Sequence, residues 1–168
     1  LQTSAGIEWT LPAEITATGS VFHNAFFNMT DAISTATGGT SAVLEDKRAE
    51  GRALGLELFL RRRLTKQLGG YASYTLSRST RTLNGATFPA TFDRTHVASM
   101  ALGYDLGRRW RAGLRFVFYT GAPKLISVRG LNPPPPTLSP DRDPAFYRLD
   151  ARIEKKWVWG DRYWLAFV

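Results

Sequence analysis

The residue types that most often carry chemistry are thinly spread here. The only two histidines, His23 and His96, stand far apart, so a zinc-binding pair of the His-Glu-x-x-His kind is absent. Cysteine is absent as well, which removes disulfide frameworks, thiol nucleophiles and cysteine zinc sites together. There is no phosphate-cradling glycine loop, no nucleophile elbow and no dinucleotide fingerprint. The acids Glu45-Asp46 and the pair Asp141/Asp143 fall in stretches without periodicity, where solvated loop carboxylates are the simpler reading than an acid–base couple. Asn28-Met29-Thr30 matches a glycosylation sequon, a pattern too short to carry weight. The four consecutive prolines 133–136 favour stiff polyproline II. A ligand for an SH3-type domain is one reading of them, and an exposed stiff connection is the simpler one. These residues supply no catalytic constellation and no cofactor site, so the chain is expected not to be an enzyme.

What remains is charge. The 22 Lys+Arg against 14 Asp+Glu give a formal net charge of +8, a balance that suits nucleic acid, an anionic membrane surface or anionic substrates. Position decides between them. Much of the positive charge stands beside short turns, as Arg61, Arg62 and Arg63, as Arg108 and Arg109, and as Lys155, Lys156 and Arg162. That placement describes a solvated rim near lipid headgroups rather than a nucleic-acid groove.

The elements that hold these charges have a period of two. In 51–60 the residues Leu54, Leu56, Leu58 and Leu60 share one parity while Ala53, Gly55, Glu57 and Phe59 share the other, and only an extended strand turns that pattern into two faces. The stretch 69–80 returns as a hairpin, with Ala72, Tyr74 and Leu76 against Tyr71, Ser73, Thr75, Ser77 and Ser79. Similar alternation marks 1–10, 15–28, 96–106, 110–121, 146–157 and the start of a strand at 162–168. The pattern predicts about eight strands, most of them longer than the roughly five or six residues of a globular strand and near the roughly 9–11 needed to cross a bilayer at a tilt. A hydrophobic content of 43% contains no apolar run long enough for a transmembrane helix. Alternating strands hide a lipid face from such averages.

The expected connections alternate in length. Short turns fall at 11–14, 64–68, 106–109 and 158–161, with longer connections at 30–50, 81–93 and 122–144. Outer-membrane barrels show this two-sided asymmetry, with tight turns at the periplasmic rim and long loops outside. Trp9, Trp110, Trp157, Trp159 and Trp164 all lie within a few residues of a short turn, as expected of an aromatic girdle at one interface. The expectation is an all-β, antiparallel transmembrane β-barrel in which Leu54, Leu56, Leu58, Leu114 and Phe116 meet lipid.

Three short motifs carry a resemblance. Phe92-Asp93-Arg94-Thr95-His96 enters a strand, Tyr119-Thr120-Gly121-Ala122-Pro123 leaves one, and Tyr147-Arg148-Leu149-Asp150-Ala151-Arg152 enters the next. In this order they resemble the C-terminal barrel strands of TonB-dependent outer-membrane receptors, well over 51–168 and by pattern alone over the first fifty residues. The resemblance implies a barrel of about 22 strands closed by an N-terminal plug. It also implies a place in the cell outer membrane, uptake of siderophores, cobalamin, glycans or similar nutrients, and energy delivered through TonB and its inner-membrane partners. The sequence departs from the family in showing no plug, no TonB box and no terminal aromatic strand, so residues 1–168 are expected to be one segment of a single barrel domain. In such a receptor the long connections face outward. Arg78, Asp93, Arg94 and Tyr119 are then the rim or lumen candidates for ligand contact, and Asp93 also suits local hydrogen bonding at a strand start. Glu57, Arg115, Arg148, Asp150, Arg152 and Glu154 form the lumen polar network, expected to pair across strands. Two other architectures fit the alternation: a complete eight-stranded barrel acting as an anchor or enzyme, and a soluble β-sandwich or lipocalin-like binder.

Overall fold

Alternation along the sequence becomes strand throughout the computed structural model, which describes residues 1–30, 48–64, 67–83, 86–126, 137–159 and 162–167. The strands are β1 (Gln2–Leu11), β2 (Ile15–Thr30), β3 (Arg48–Arg62), β4 (Leu68–Leu83), β5 (Ala86–Pro89), β6 (His96–Gly107), β7 (Trp110–Tyr119), β8 (Pro123–Ile126), β9 (Thr137–Arg142), β10 (Phe146–Trp159) and β11 (Arg162–Phe167). The main sheet runs β1-β2-β3-β4-β6-β7-β10-β11, each strand antiparallel to its neighbours, with β5 folded back on β4; β8 and β9 make a separate hairpin. Nearest-neighbour antiparallel pairing is what short turns permit. The sheet is open, with β1 and β11 at its edges.

Register turns the sequence alternation into two continuous faces, because directly opposed residues of antiparallel strands share a side. One row reads Trp9, Ala17, Leu60, Ala72, Met100, Phe116 and Leu149 across seven strands. The adjacent row on the other face reads Glu8, Thr18, Phe59, Ser73, Ser99, Val117 and Arg148. All five residues expected at lipid, Leu54, Leu56, Leu58, Leu114 and Phe116, lie on the apolar face. Along β3 this face begins at Arg52, passes through four leucines and ends at Arg62. Ten residues at about 3.4 Å each, tilted by about 40°, span about 26 Å of membrane normal, against the roughly 25 Å apolar band of an outer-membrane barrel.

The sheet has almost no interior of its own. Among the described residues only Ala49, Gly69, Ala90, Asp93, Gly121 and Pro123 are buried, and Ile7, Val21, Leu54, Leu58, Leu60, Leu114, Leu149 and Ile153 are exposed. A soluble sandwich would cover those side chains with a second sheet. The two-stranded β8–β9 sheet is no such cover. Nothing among the described residues covers the apolar face of this wall. Trp9, Trp110 and Trp157 share that face near the short turns, with the Trp9 ring lying over Gly19; the side chains of Trp159 and Trp164 are outside the described set.

Some connections are more structured than expected. The 81–93 stretch contains β5, which extends the β4 hairpin above the apolar band, and 122–144 contains β8 and β9. Residues 31–47 and 127–136, including Glu45-Asp46 and the prolines, lie outside the described residues. β7 ends at Tyr119 rather than 121, where the Thr120 N–H and hydroxyl both bond to the His96 backbone. Asn28, the sequon residue, adopts a left-handed φ of 55° at the register shift between Phe26 and Met29, a β-bulge that Asn tolerates better than most residues.

Candidate recognition site at the rim of the long connections

Above the apolar band, four chain segments converge on one carboxylate. Asp93 lies in the turn between β5 and β6, is 1% exposed, and its Oδ1 accepts the Ser79 backbone N–H of β4 at 2.6 Å. Its Oδ2 accepts from Arg142 Nη2 at 2.6 Å, and Arg142 Nη1 donates to the carbonyls of Asp93 (2.8 Å) and Gly121 (3.2 Å). Arg142 ends β9, and Gly121 follows β7. A Cβ on Gly121 would overlap the Asp143 carbonyl, so only glycine lets the two segments cross there, sealed by an Asp143 N–H bond to Ala122 O at 2.9 Å. Removing Arg142 would strand the Asp93 carboxylate in a site closed to water, whereas the Arg142 side chain, 27% exposed, keeps some contact with solvent. The clasp therefore ties the β4 extension, the β5–β6 turn, the β7 exit and the β9–β10 junction into one unit.

Beside it stands a stack. The Arg94 guanidinium lies 3.8 Å from the centroid of the Tyr119 ring, and Tyr119 stacks on Phe146 at 4.8 Å with 16° between planes. Val97, Tyr119 and Phe146 are opposed in register with Glu57 and Thr75, which places the two rings on the polar face. A guanidinium held flat on an aromatic pair offers charge and a π surface together, suited to planar or anionic groups.

The four expected contact residues thus divide in two. Arg94 and Tyr119 meet on the polar face. Arg78 opposes Leu54, on the same side as the leucines, with its Nη1 3.9 Å from Asp93 Oδ2. Asp93 is occupied as the fastener. Arg142 and Phe146 were not singled out by sequence: Arg142 sits 49 positions from its carboxylate and between two acids, and nothing local marks its partner.

The polar network lines the face below. Arg148 Nε meets Asp150 Oδ1 at 2.8 Å and Arg152 Nη2 meets Glu154 Oε2 at 2.7 Å, so these pairs run along β10 instead of across strands as expected. Residues two apart on a strand share a side and are within reach of long side chains, which makes the along-strand pair as accessible as the cross-strand one. A cross-strand pair does form between Arg111 and Asp105 at 3.8 Å. Glu57 accepts a long bond from Ser20 Oγ at 3.5 Å, and Ser73 and Ser99 share one at 2.8 Å. Arg115 stands opposite Asp150 in register with no ionic contact among the described residues. Exposed pairs of this sort each contribute under about 1 kcal/mol, so they line the face without holding it together.

A wall apolar on one side for about one membrane thickness, polar on the other, and gathered above by a buried clasp is the wall of a transmembrane β-barrel. The family model described as TonB dependent receptor-like, beta-barrel matches residues 1–167, and the chain belongs to that family. No curated protein and no solved structure matches it. The family is one of outer-membrane transport receptors rather than enzymes.

Proposed function

We propose that this chain forms wall strands of an outer-membrane receptor that takes up a siderophore or a comparable nutrient. Uptake is driven by TonB and its inner-membrane complex through a plug domain of the same receptor, and the wall itself carries no catalytic activity. Ligand approaches from the long-connection side, where the Arg94–Tyr119–Phe146 stack faces the lumen, and the Asp93–Arg142 clasp keeps that rim in shape. The observation that carries the reading is the continuous apolar face opposite a polar one across seven paired strands, together with the family match.

The test is uptake by cells lacking the gene, offered ferric siderophores, cobalamin and oligosaccharides one at a time, with and without functional TonB. Where TonB is functional, loss of one nutrient is expected, restored by the wild-type gene and restored poorly by Arg94→Ala/Tyr119→Ala; without functional TonB that nutrient should not enter whether or not the gene is present. Uptake unchanged by the deletion for every nutrient, or gene-dependent uptake that persists without functional TonB, contradicts the proposal.

A further inference from the structure

On the apolar face near the short turns, β3 and β6 flank a groove whose floor is β4. Its volume is about 130 Å³ and its lining includes Leu60, Arg62, Leu68, Gly70, Ala72 and Leu102. All six share the apolar side by register. The floor is bare for a physical reason: at Gly70, with φ of 153°, a Cβ would stand 2.1 Å from the Ala101 carbonyl, so no side chain can cover it. Ala72 adds only a methyl group one step further into the band. Leu60 and Leu102 make the sides.

Arg62 closes the end nearest the turn, and it is the feature that points to a ligand. Its Nε is shut off from solvent and has no acceptor, a state that costs a buried donor its full desolvation penalty. Among the described residues no carboxylate lies within ion-pair distance of it. Arg61 and Arg63 have the opposite parity. The groove thus presents a cation with an unmet donor at the membrane edge and an apolar trough running from it toward mid-membrane, which is the polarity of a phospholipid in the leaflet on the short-turn side.

We propose that this groove seats one phospholipid, its phosphodiester paired with the Arg62 guanidinium, which must turn to release the stranded Nε, and one acyl chain lying over Gly70 and Ala72 between Leu60 and Leu102. The proposal rests on the membrane reading of the sheet and adds a specific site to it. A scattered annulus would need neither the bare floor nor the stranded donor.

Native mass spectrometry of the full receptor, released from membranes in mild detergent and titrated with dioleoyl phosphatidylglycerol, tests it. One lipid should be retained by the wild type. Arg62→Gln should lower that retention about tenfold, the size of one charge-assisted hydrogen bond, and Ala72→Phe should lower it with Arg62 intact. Dioleoylglycerol, which lacks the phosphate, and glycerol 3-phosphate, which lacks the chains, should bind to neither protein at the same concentration. Heat-modifiable mobility on gels shows for each variant that the barrel is folded and inserted. Retention unchanged in both folded variants, or equal retention of dioleoylglycerol, overturns the lipid seat and leaves the barrel standing. Failure of the wild type itself to insert overturns both.

Discussion

Placing arginine along the leucine row of β3 gives a graded test of the wall. With about 2.6 Å of depth per residue, Leu56 lies about 10 Å from the Arg52 edge of the apolar band and about 16 Å from the Arg62 edge, and Leu58 mirrors it. Leu54 and Leu60 lie only about 5 Å from an edge, within reach of a side chain that extends to the headgroups. Leu56→Arg and Leu58→Arg should therefore each destabilise the folded barrel by about 2–4 kcal/mol, and Leu54→Arg and Leu60→Arg by about 0–1 kcal/mol. The control is Glu57→Arg, at the same depth on the polar face, where only the 3.5 Å contact with Ser20 is lost; its cost should be within about 0.5 kcal/mol of zero. Gly55 cannot serve as the control, because a Cβ there already meets the Leu76 carbonyl at 2.6 Å and the Phe22 ring at 2.7 Å. Reversible urea unfolding from phospholipid vesicles, followed by tryptophan fluorescence, reads all five variants of the receptor. A flat series, or a Glu57→Arg cost equal to that of Leu56→Arg, would refute the facing and the depth together.

Three further outcomes follow from the rim and the turns. Arg142→Ala, which strands the buried Asp93 carboxylate, should loosen the clasp by about 3–5 kcal/mol, and Asp93→Ala, which leaves a partly exposed arginine, by less, with the double variant close to Asp93→Ala; hydrogen exchange at the Ser79 and Asp143 amides reports it. Exchange at both amides left at the wild-type rate would mean that the pair does not hold the rim. Arg108 and Arg109, at φ of 50° and 67°, make a two-residue turn usually filled by Asn-Gly, and Lys155 Nζ grips it through the Arg108 carbonyl at 2.8 Å. Arg108→Asn/Arg109→Gly should keep or raise the unfolding free energy, by up to about 1 kcal/mol, since the grip is to backbone; a clear fall would show that the guanidinium groups themselves stabilise the turn. Tyr119→Ala should weaken binding of the transported nutrient without moving the midpoint of barrel unfolding by more than about 1 kcal/mol, and a variant that unfolds while its binding persists would reverse the role given to the stack.

The strands were legible because a period of two is forced by the backbone and because a membrane wall keeps it for ten or more residues. The leucines of β3 and Trp110, Phe116 and Phe118 of β7 needed no tertiary information to be placed on one side. Above the band that signal disappears. In Ser77-Arg78-Ser79-Thr80 both parities are polar, so alternation itself is not visible there, although carrying the parity of Ala72, Tyr74 and Leu76 one step further puts Arg78 on their side, as its opposition to Leu54 shows. β5 and β8, four residues each with a proline in them, are too short for alternation to show. The clasp was half legible: Asp93 could be given a hydrogen-bonding role at a strand start, but its partner comes from a distant hairpin whose approach depends on the Gly121–Asp143 crossing. The two pairs along β10 were not legible, because composition shows which charges share a face and not which neighbour is nearer. Arg62 looked like one more rim charge until packing showed its Nε to be cut off from water.

Residues 1–168 contain no cysteine, so a thiol introduced among them is unique within this segment, and the most direct test uses it in a receptor whose cysteines elsewhere, where it has any, are replaced by serine. A nitroxide carried singly at each position from 53 to 60 except the crowded Gly55, in the receptor reconstituted into vesicles, reports its collisions with oxygen dissolved in lipid and with a nickel chelate dissolved in water. Strict alternation is expected, with 54, 56, 58 and 60 accessible to oxygen and 53, 57 and 59 accessible to nickel, the oxygen preference being greatest at 56 and 58. Nickel access at both parities, or oxygen access without a period of two, would contradict a wall with lipid on one side and a wet lumen on the other.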